Sequence, residues 1–203
     1  MSSSFWDARY ATDDYIFGTA PNRFLESQIA HIKPGMQALS IADGEGRNGV
    51  WLAEQGARVH AVDVSPVALE KARKLAAVRG VALDFEQVDI LGWNWPEAAY
   101  DLVAAIFIQF APPPERDHVI AGIRRCLKPG GLLILQGYTP KQIEFGTGGP
   151  PSAANMYTAD LLRGWFGDWD ILHLAEHESV IREGSHHHGM SALIDLVARK
   201  PGS

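Results

Sequence analysis

Apolar and polar positions change rhythm along this chain, and the rhythm separates strands from helices. Residues 37–41 form a short apolar run that reads as a strand, with 58–62 and 81–88 as the second and third. Residues 100–108 are almost continuously apolar, as in a parallel strand covered on both faces. Residues 132–136 read as a fifth strand. Helical spacing lies between these runs. Residues 50–55 read as a helix that Gly56 stops. Ser65 and Pro66 supply an N-cap and a proline at the first helical position; Leu69, Ala72, Leu75 and Ala76 then repeat at helical intervals until Gly80. Three prolines from Pro112 break the fourth strand, 115–127 read as a helix, and 128–131 as a turn. Strand–helix alternation of this kind predicts a parallel sheet with helices on both sides.

The two ends depart from the alternation. Residues 158–165 read as a helix, and 170–180 and 191–198 as two strands with no room for a helix between them, hence an antiparallel pair. The first 34 residues are aromatic-rich and irregular (Phe5, Trp6, Tyr10, Tyr15, Phe17) until a helix-like stretch at 22–32. With no repeat or linker, the chain reads as one domain: residues 1–34 an N-terminal arm or lid, 35–203 the core. The Gly/Pro-rich stretch 146–154 is a loop too short to divide it.

Composition agrees with one such domain. The 203 residues are 46% hydrophobic and 21% charged, an ordinary globular mix. A net charge of −6 argues against a broad nucleic-acid or anionic-membrane surface. The single cysteine, Cys126, forms no internal disulfide and reads as a small buried apolar residue. Residues 1–5 have no basic or apolar leader pattern and no run is long enough to span a bilayer, so the cytoplasm is the default location. The expected partner is a small molecule, with no nucleic acid and no membrane, acting on a monomer or homodimer.

The strongest motif is Gly44-Glu45-Gly46-Arg47-Asn48-Gly49 after the first strand. Glycines there let the backbone approach a ligand, and a helix N-terminus follows with free N–H donors. Asp63 ends the second strand about twenty residues on, where an acid can grip a ribose diol. Taken alone, this pattern fits a dinucleotide as well as any other adenosine cofactor. Asp89 and Ile90 follow the third strand, placed to accept from an adenine amino group and donate to its ring.

The order of these motifs, with Leu127-Lys128-Pro129-Gly130-Gly131 and the closing strand pair, resembles the class I S-adenosylmethionine-dependent methyltransferases. More narrowly, the chain resembles the small tellurite-resistance-type methyltransferases, relatives of the thiopurine methyltransferases. The residues that carry this are Trp6-Asp7-x-Arg9-Tyr10, Tyr15-x-Phe17-Gly18-x-x-Pro21-Asn22-x-Phe24-Leu25, the glycine loop, Gly146-Thr147-Gly148-Gly149-Pro150 and Glu183-Gly184-x-x-His187-x-Gly189. The resemblance implies an α/β, Rossmann-like, doubly wound seven-stranded sheet, mostly parallel with an antiparallel C-terminal strand. It also implies S-adenosylmethionine as donor and S-adenosylhomocysteine as product. The expected donor site is Asp43, Gly44, Glu45, Gly46, Arg47, Asn48, Asp63, Val64, Asp89, Ile90 and Ile108. One departure stands out: the acid often found in the first strand is Ser40 here, and Ala42 replaces the usual glycine, so Asp43 is expected to supply the nearby polar contact.

Methyl transfer from a sulfonium needs alignment and dryness more than a base, and a thiolate or chalcogen anion would need no base at all. The acceptor should lie over the carboxyl ends of the strands. Candidates for its pocket are Phe17, Gln109, Tyr138 and His187, with Tyr15 and Gly18 part of the lid. No acid or cysteine cluster gives His186, His187 and His188, or His173 and His177, a metal-ligand spacing. Alternatives are an O- or N-methyltransferase of a small metabolite, an NAD-binding oxidoreductase, and a non-catalytic cofactor-binding protein.

Overall fold

The computed structural model describes residues 3–184 and 187–202. The arm holds α1 (Ser3–Tyr10) and α2 (Arg23–Ser27). The alternating part follows as β1 (Gln37–Ile41), α3 (Arg47–Glu54), β2 (Arg58–Asp63), α4 (Pro66–Arg79), β3 (Asp84–Gln87), β4 (Tyr100–Ile106), α5 (Pro113–Cys126) and β5 (Leu127–Tyr138). The last part comprises α6 (Gln142–Phe145), α7 (Ala159–Phe166), β6 (Asp170–Glu183) and β7 (His187–Arg199).

The strands form one seven-stranded sheet in the order β3-β2-β1-β4-β5-β7-β6. β1 to β5 run parallel, and β7 lies antiparallel between β5 and β6, with Leu132 opposite Arg199 and Tyr138 opposite Leu193. This is the sheet that the motif order implied. Its two faces carry separate cores. One contains Leu39, Val103, Leu133 and Ile123; the other contains Ala38, Leu102, Ile134 and Leu52. Neighbouring residues of β1 and β4 thus bury on opposite sides, which is why residues 102–106 of β4 are all apolar, while Asp101 at its start accepts from Gln37 N at 2.8 Å.

Local chemistry sets the boundaries. Ser65 Oγ accepts from Ala68 N at 3.1 Å to start α4, and Gly80, at φ 68°, closes it. Four expectations are corrected. The irregular first stretch begins with a helix, α1, whose register is fixed by docking rather than by its own pattern: Asp7 accepts from Ser65 Oγ at 2.6 Å. The stretch 22–32 is no single helix, because α2 stops at Ser27 and only a 3₁₀ turn, Ile29–His31, follows. Ile29 is exposed there, so the apolar stripe that would have extended the helix has nothing to cover. β3 is shorter than its apolar run, since Val81 N is drawn back to Ala76 O at 3.1 Å by the end of α4. Residues 128–131, read as a turn, instead lengthen β5 with a register shift between Tyr100 and Leu102; Gly130 turns at φ 77° and donates to Lys200 O at 3.0 Å.

Cys126 is fully buried, and desolvation pushes its thiol up to about 12. It is inert packing, as the sequence suggested. Among the described residues no helix is long and apolar enough to cross a membrane.

Candidate functional site

The sheet order reverses between β1 and β4, and a cavity of about 560 Å³ opens at the carboxyl ends of the strands there. Its floor is the loop after β1. Ala42, Gly44 and Gly46 all adopt positive φ (48°, 57° and 91°), so the chain turns tightly, and Gly46 N donates to Asp43 O at 3.1 Å across the turn. Gly44 leaves space that a side chain would remove: a Cβ there would lie 2.8 Å from the Tyr10 hydroxyl. Gly46 turns its open side away, where a Cβ would meet Ala72 of α4 at 2.7 Å.

Two carboxylates stand at this floor. Asp43 Oδ1 accepts from Ser40 Oγ at 2.6 Å and from Gly49 N at 3.0 Å, while its Oδ2 is buried with no hydrogen-bond partner. Burial raises its pKa to about 7, against the opposing pull of the Ser40 hydroxyl and the Gly49 N–H. The departure at Ser40 is thereby explained: the acid sits three residues later and the serine supports it. Asp63 Oδ2 accepts from Gly44 N at 2.8 Å and Oδ1 from Ser65 N at 2.9 Å. Burial raises its pKa too, with these N–H groups opposing.

The rest of the loop divides between cavity and scaffold. Arg47 and Asn48 line the cavity. Arg47 Nη2 donates to Glu183 Oε2 at 2.8 Å, leaving Nη1 buried without a partner. Asn48 Oδ1 accepts from Asn22 N at 2.9 Å. Glu45 faces the arm instead. It pairs with Lys71 and accepts from Phe17 N at 3.3 Å, and Lys71 Nζ also donates to Thr12 O at 3.1 Å and Asp14 O at 2.6 Å.

Val64, Asp89 and Ile90 complete the wall beside Asp63. Asp89 is exposed and accepts from Leu91 N at 3.0 Å in a turn. Ile108 is buried in the core below and does not line the cavity. Of the expected donor residues, then, Glu45, Gly46 and Ile108 stand behind the wall and the others form it.

The opposite wall comes from the ends of β4 and β5. Phe107 has φ 56°, a strained backbone for an aromatic residue, and its ring lies 4.7 Å from that of Tyr138. Gln109 lines the cavity, but its amide works as a backbone clamp: Nε2 donates to Tyr138 O at 2.8 Å and Oε1 accepts from Tyr138 N at 2.5 Å. Burial pushes the Tyr138 phenol well above its ordinary range. Residues 148–151, within the predicted loop, close this side.

The arm forms the roof. Phe17 lines the cavity as expected, whereas the Tyr15 hydroxyl donates to Lys71 O at 3.0 Å and Gly18 packs on Gly184. Phe5, Trp6, Arg9 and Tyr10 also line it. Sequence reasoning gave these four no site role. Trp6, Arg9 and Tyr10 stand at i, i+3 and i+4, one face of a helix, so reading α1 as helical would have found them. The side chain of His187 lies outside the described residues.

Comparison with known proteins finds likeness in sequence over part of the chain and in fold over most of it. Residues 38–131 match the family model described as a methyltransferase domain. An uncharacterized methyltransferase of Synechocystis sp. is 33% identical over 109 residues, covering 51% of this chain and 48% of the relative. The match thus spans about half the length of that relative. A structure solved in work on the conversion of a disulfide bond into a thioacetal group during echinomycin biosynthesis superposes at TM-score 0.78, 22% identical, over 98% of this chain and 92% of the other. TehB from Haemophilus influenzae superposes at 0.72, 16% identical, over 98% of this chain and 66% of its own. At these identities the structural likeness is one of fold.

Proposed function

We propose that this chain transfers a methyl group from S-adenosylmethionine to a small acceptor, a thiol or another chalcogen compound. The observation that carries the reading is Asp43 Oδ2, a buried carboxylate oxygen without a partner in the glycine loop of a cavity that also holds Asp63. The donor ends in an α-amino acid, whose ammonium suits Asp43 Oδ2 and whose carboxylate suits the unpartnered Nη1 of Arg47. Asp63 accepts from Gly44 N on one oxygen and Ser65 N on the other, and its remaining acceptor capacity suits a ribose hydroxyl. A dinucleotide would bring its anionic pyrophosphate to the same loop, against Asp43, which disfavours it.

Bound here, the donor supplies a methyl carbon on sulfonium with a thioether as leaving group, so no proton has to reach the leaving atom. The chain's own work is positioning and exclusion of water. α1 and Phe17 cover the cavity, and the Gln109 clamp holds the wall. Among the described lining residues there is no histidine, lysine or cysteine, and burial raises the phenols of Tyr10 and Tyr138. That setting favours an acceptor that ionises readily, such as a thiol or a chalcogen acid, over an alcohol. The finer assignment, to the tellurite-resistance-type subgroup, rests on the arm, loop and Glu183-Gly184 motifs.

Calorimetric binding of S-adenosylhomocysteine and of NAD, to the native chain and to Asp63→Ala, tests the donor. Micromolar binding of the former, lost in the variant, is expected. Binding of NAD alone would overturn the reading. Release of S-adenosylhomocysteine across a panel of thiols, selenite, tellurite, alcohols and amines then tests the acceptor class.

A further inference from the structure

Five charged side chains line the cavity among the described residues: Arg9, Asp43, Arg47, Asp63 and Asp89. Four of them make hydrogen bonds within the protein. Arg9 is the exception. Its guanidinium lies over the rings of Trp6, at 5.7 Å, and Phe17, at 5.9 Å, and its Nε is buried with no hydrogen-bond partner. Two aromatic faces thus hold a permanent cation in the roof with no carboxylate of the described residues at ion-pair distance.

We infer that Arg9 receives a carboxylate carried by the methyl acceptor, which makes it a specificity-determining residue of this site. The inference rests on the methyltransferase reading. The donor's own charges are met on the floor, by Asp43 Oδ2 and Arg47 Nη1, and do not require Arg9. A bound donor brings a sulfonium into the cavity, so a guanidinium above it that has no ion-pair partner among the described residues gains from an anion placed between the two. A planar guanidinium fork matches a carboxylate better than any other side chain does. The remaining wall is apolar at Phe107, Phe110, Pro150 and Pro151, which calls for an acceptor with an apolar body rather than a bare inorganic anion.

The test uses the full chain saturated with S-adenosylhomocysteine and three calorimetric probes: benzoate, benzyl alcohol and acetate. Benzoate supplies body and charge, and the others supply one each. Benzoate is expected to bind at least about tenfold more tightly than either, about 1.4 kcal/mol. Arg9→Met, which keeps the aliphatic stem, removes that preference; Arg9→Lys retains part of it. Affinity for S-adenosylhomocysteine changes less than about twofold in both variants, and equal melting temperatures establish that they fold. Equal binding of benzoate and benzyl alcohol, or no binding of benzoate, overturns the inference alone. So does a loss of S-adenosylhomocysteine affinity in Arg9→Met, which would assign Arg9 to the donor. Failure of the native chain to bind S-adenosylhomocysteine overturns the methyltransferase reading and this inference with it.

Discussion

The Arg47 guanidinium donates to the Glu183 carboxylate at 2.8 Å, both buried, so the loop after β1 is fastened to the far end of β6. The fastening continues. Asn22 Nδ2 donates to Glu183 Oε1 at 3.0 Å and to Gln136 Oε1 at 2.6 Å; Gln136 Nε2 donates to Asp195 Oδ1 at 2.6 Å, and His177 Nε2 meets Asp195 Oδ2 at 2.8 Å. Arm, loop, β5, β6 and β7 therefore share one polar network below the cavity. Removing one member of a buried pair leaves the other charge uncompensated, at about 3–5 kcal/mol. Glu183→Ala is expected to lose stability on that scale in urea titration and to weaken S-adenosylhomocysteine binding about tenfold as Arg47 swings free. Glu183→Gln, which keeps an acceptor, loses less. Unchanged affinity in a folded Glu183→Ala would dissociate the network from the site.

Asp43 gives the site a pH signature. Its folded pKa, about 7, lies above the ordinary 3.8. The folded state thus holds a proton that the unfolded chain releases, and Asp43 makes the ligand-free protein less stable as pH rises from about 4 to about 7, with no further change above. A cofactor ammonium at Oδ2 favours the carboxylate, so binding expels the proton and affinity falls as pH drops below about 7. Calorimetry near pH 6.5 in buffers of different ionisation enthalpy should report release of up to one proton. Asp43→Asn abolishes that release; an unaltered proton count in this variant would refute the assignment.

Lys71 ties the arm down through Glu45 and the carbonyls of Thr12 and Asp14. Lys71→Met leaves the buried Glu45 carboxylate without its cation. Limited proteolysis between residues 10 and 18 should then accelerate, and S-adenosylhomocysteine should bind more weakly. Lys71→Met combined with Glu45→Gln recovers part of the stability, since the uncompensated charge is gone. Additive losses in the double variant would show that the two side chains do not act as a pair.

Gln109 separates structure from chemistry. Its amide satisfies both backbone groups of Tyr138, and each buried group left unmade costs about 1–3 kcal/mol. Gln109→Ala should therefore destabilise the protein by about 2 kcal/mol or more, with a matching loss in the presence and absence of acceptor. Reduced turnover at unchanged melting temperature would instead make Gln109 an acceptor contact.

What the sequence revealed, and what it hid, follows from the range of the forces involved. The boundaries of α4 were legible because Ser65, Pro66 and Gly80 act on their own neighbours. The β4 run was legible because burial on two faces leaves residues 102–106 no polar position. Asp43, Asp63 and the glycine loop were legible because backbone turns dictate their residues. α1 was not, because what fixes it is Asp7 reaching Ser65 across the fold. Glu45 was expected at the cofactor, and only the position of Lys71, on another element, reveals that it turns to the arm. Gln109 was recognised by place, and its clamp on Tyr138 was not, since nothing local announces that its amide will close there.

β7 is the last strand along the chain and an interior strand of the sheet, between β5 and β6. During synthesis β5 and β6 are both made before the strand that joins them. Until residues 187–199 have left the ribosome, β5 keeps an open edge and β6 has no neighbour, so the sheet can close only after translation has passed its final strand. The nascent protein must therefore wait, with an unpaired edge exposed to chaperones and to other chains, for the segment that joins the two halves of the sheet.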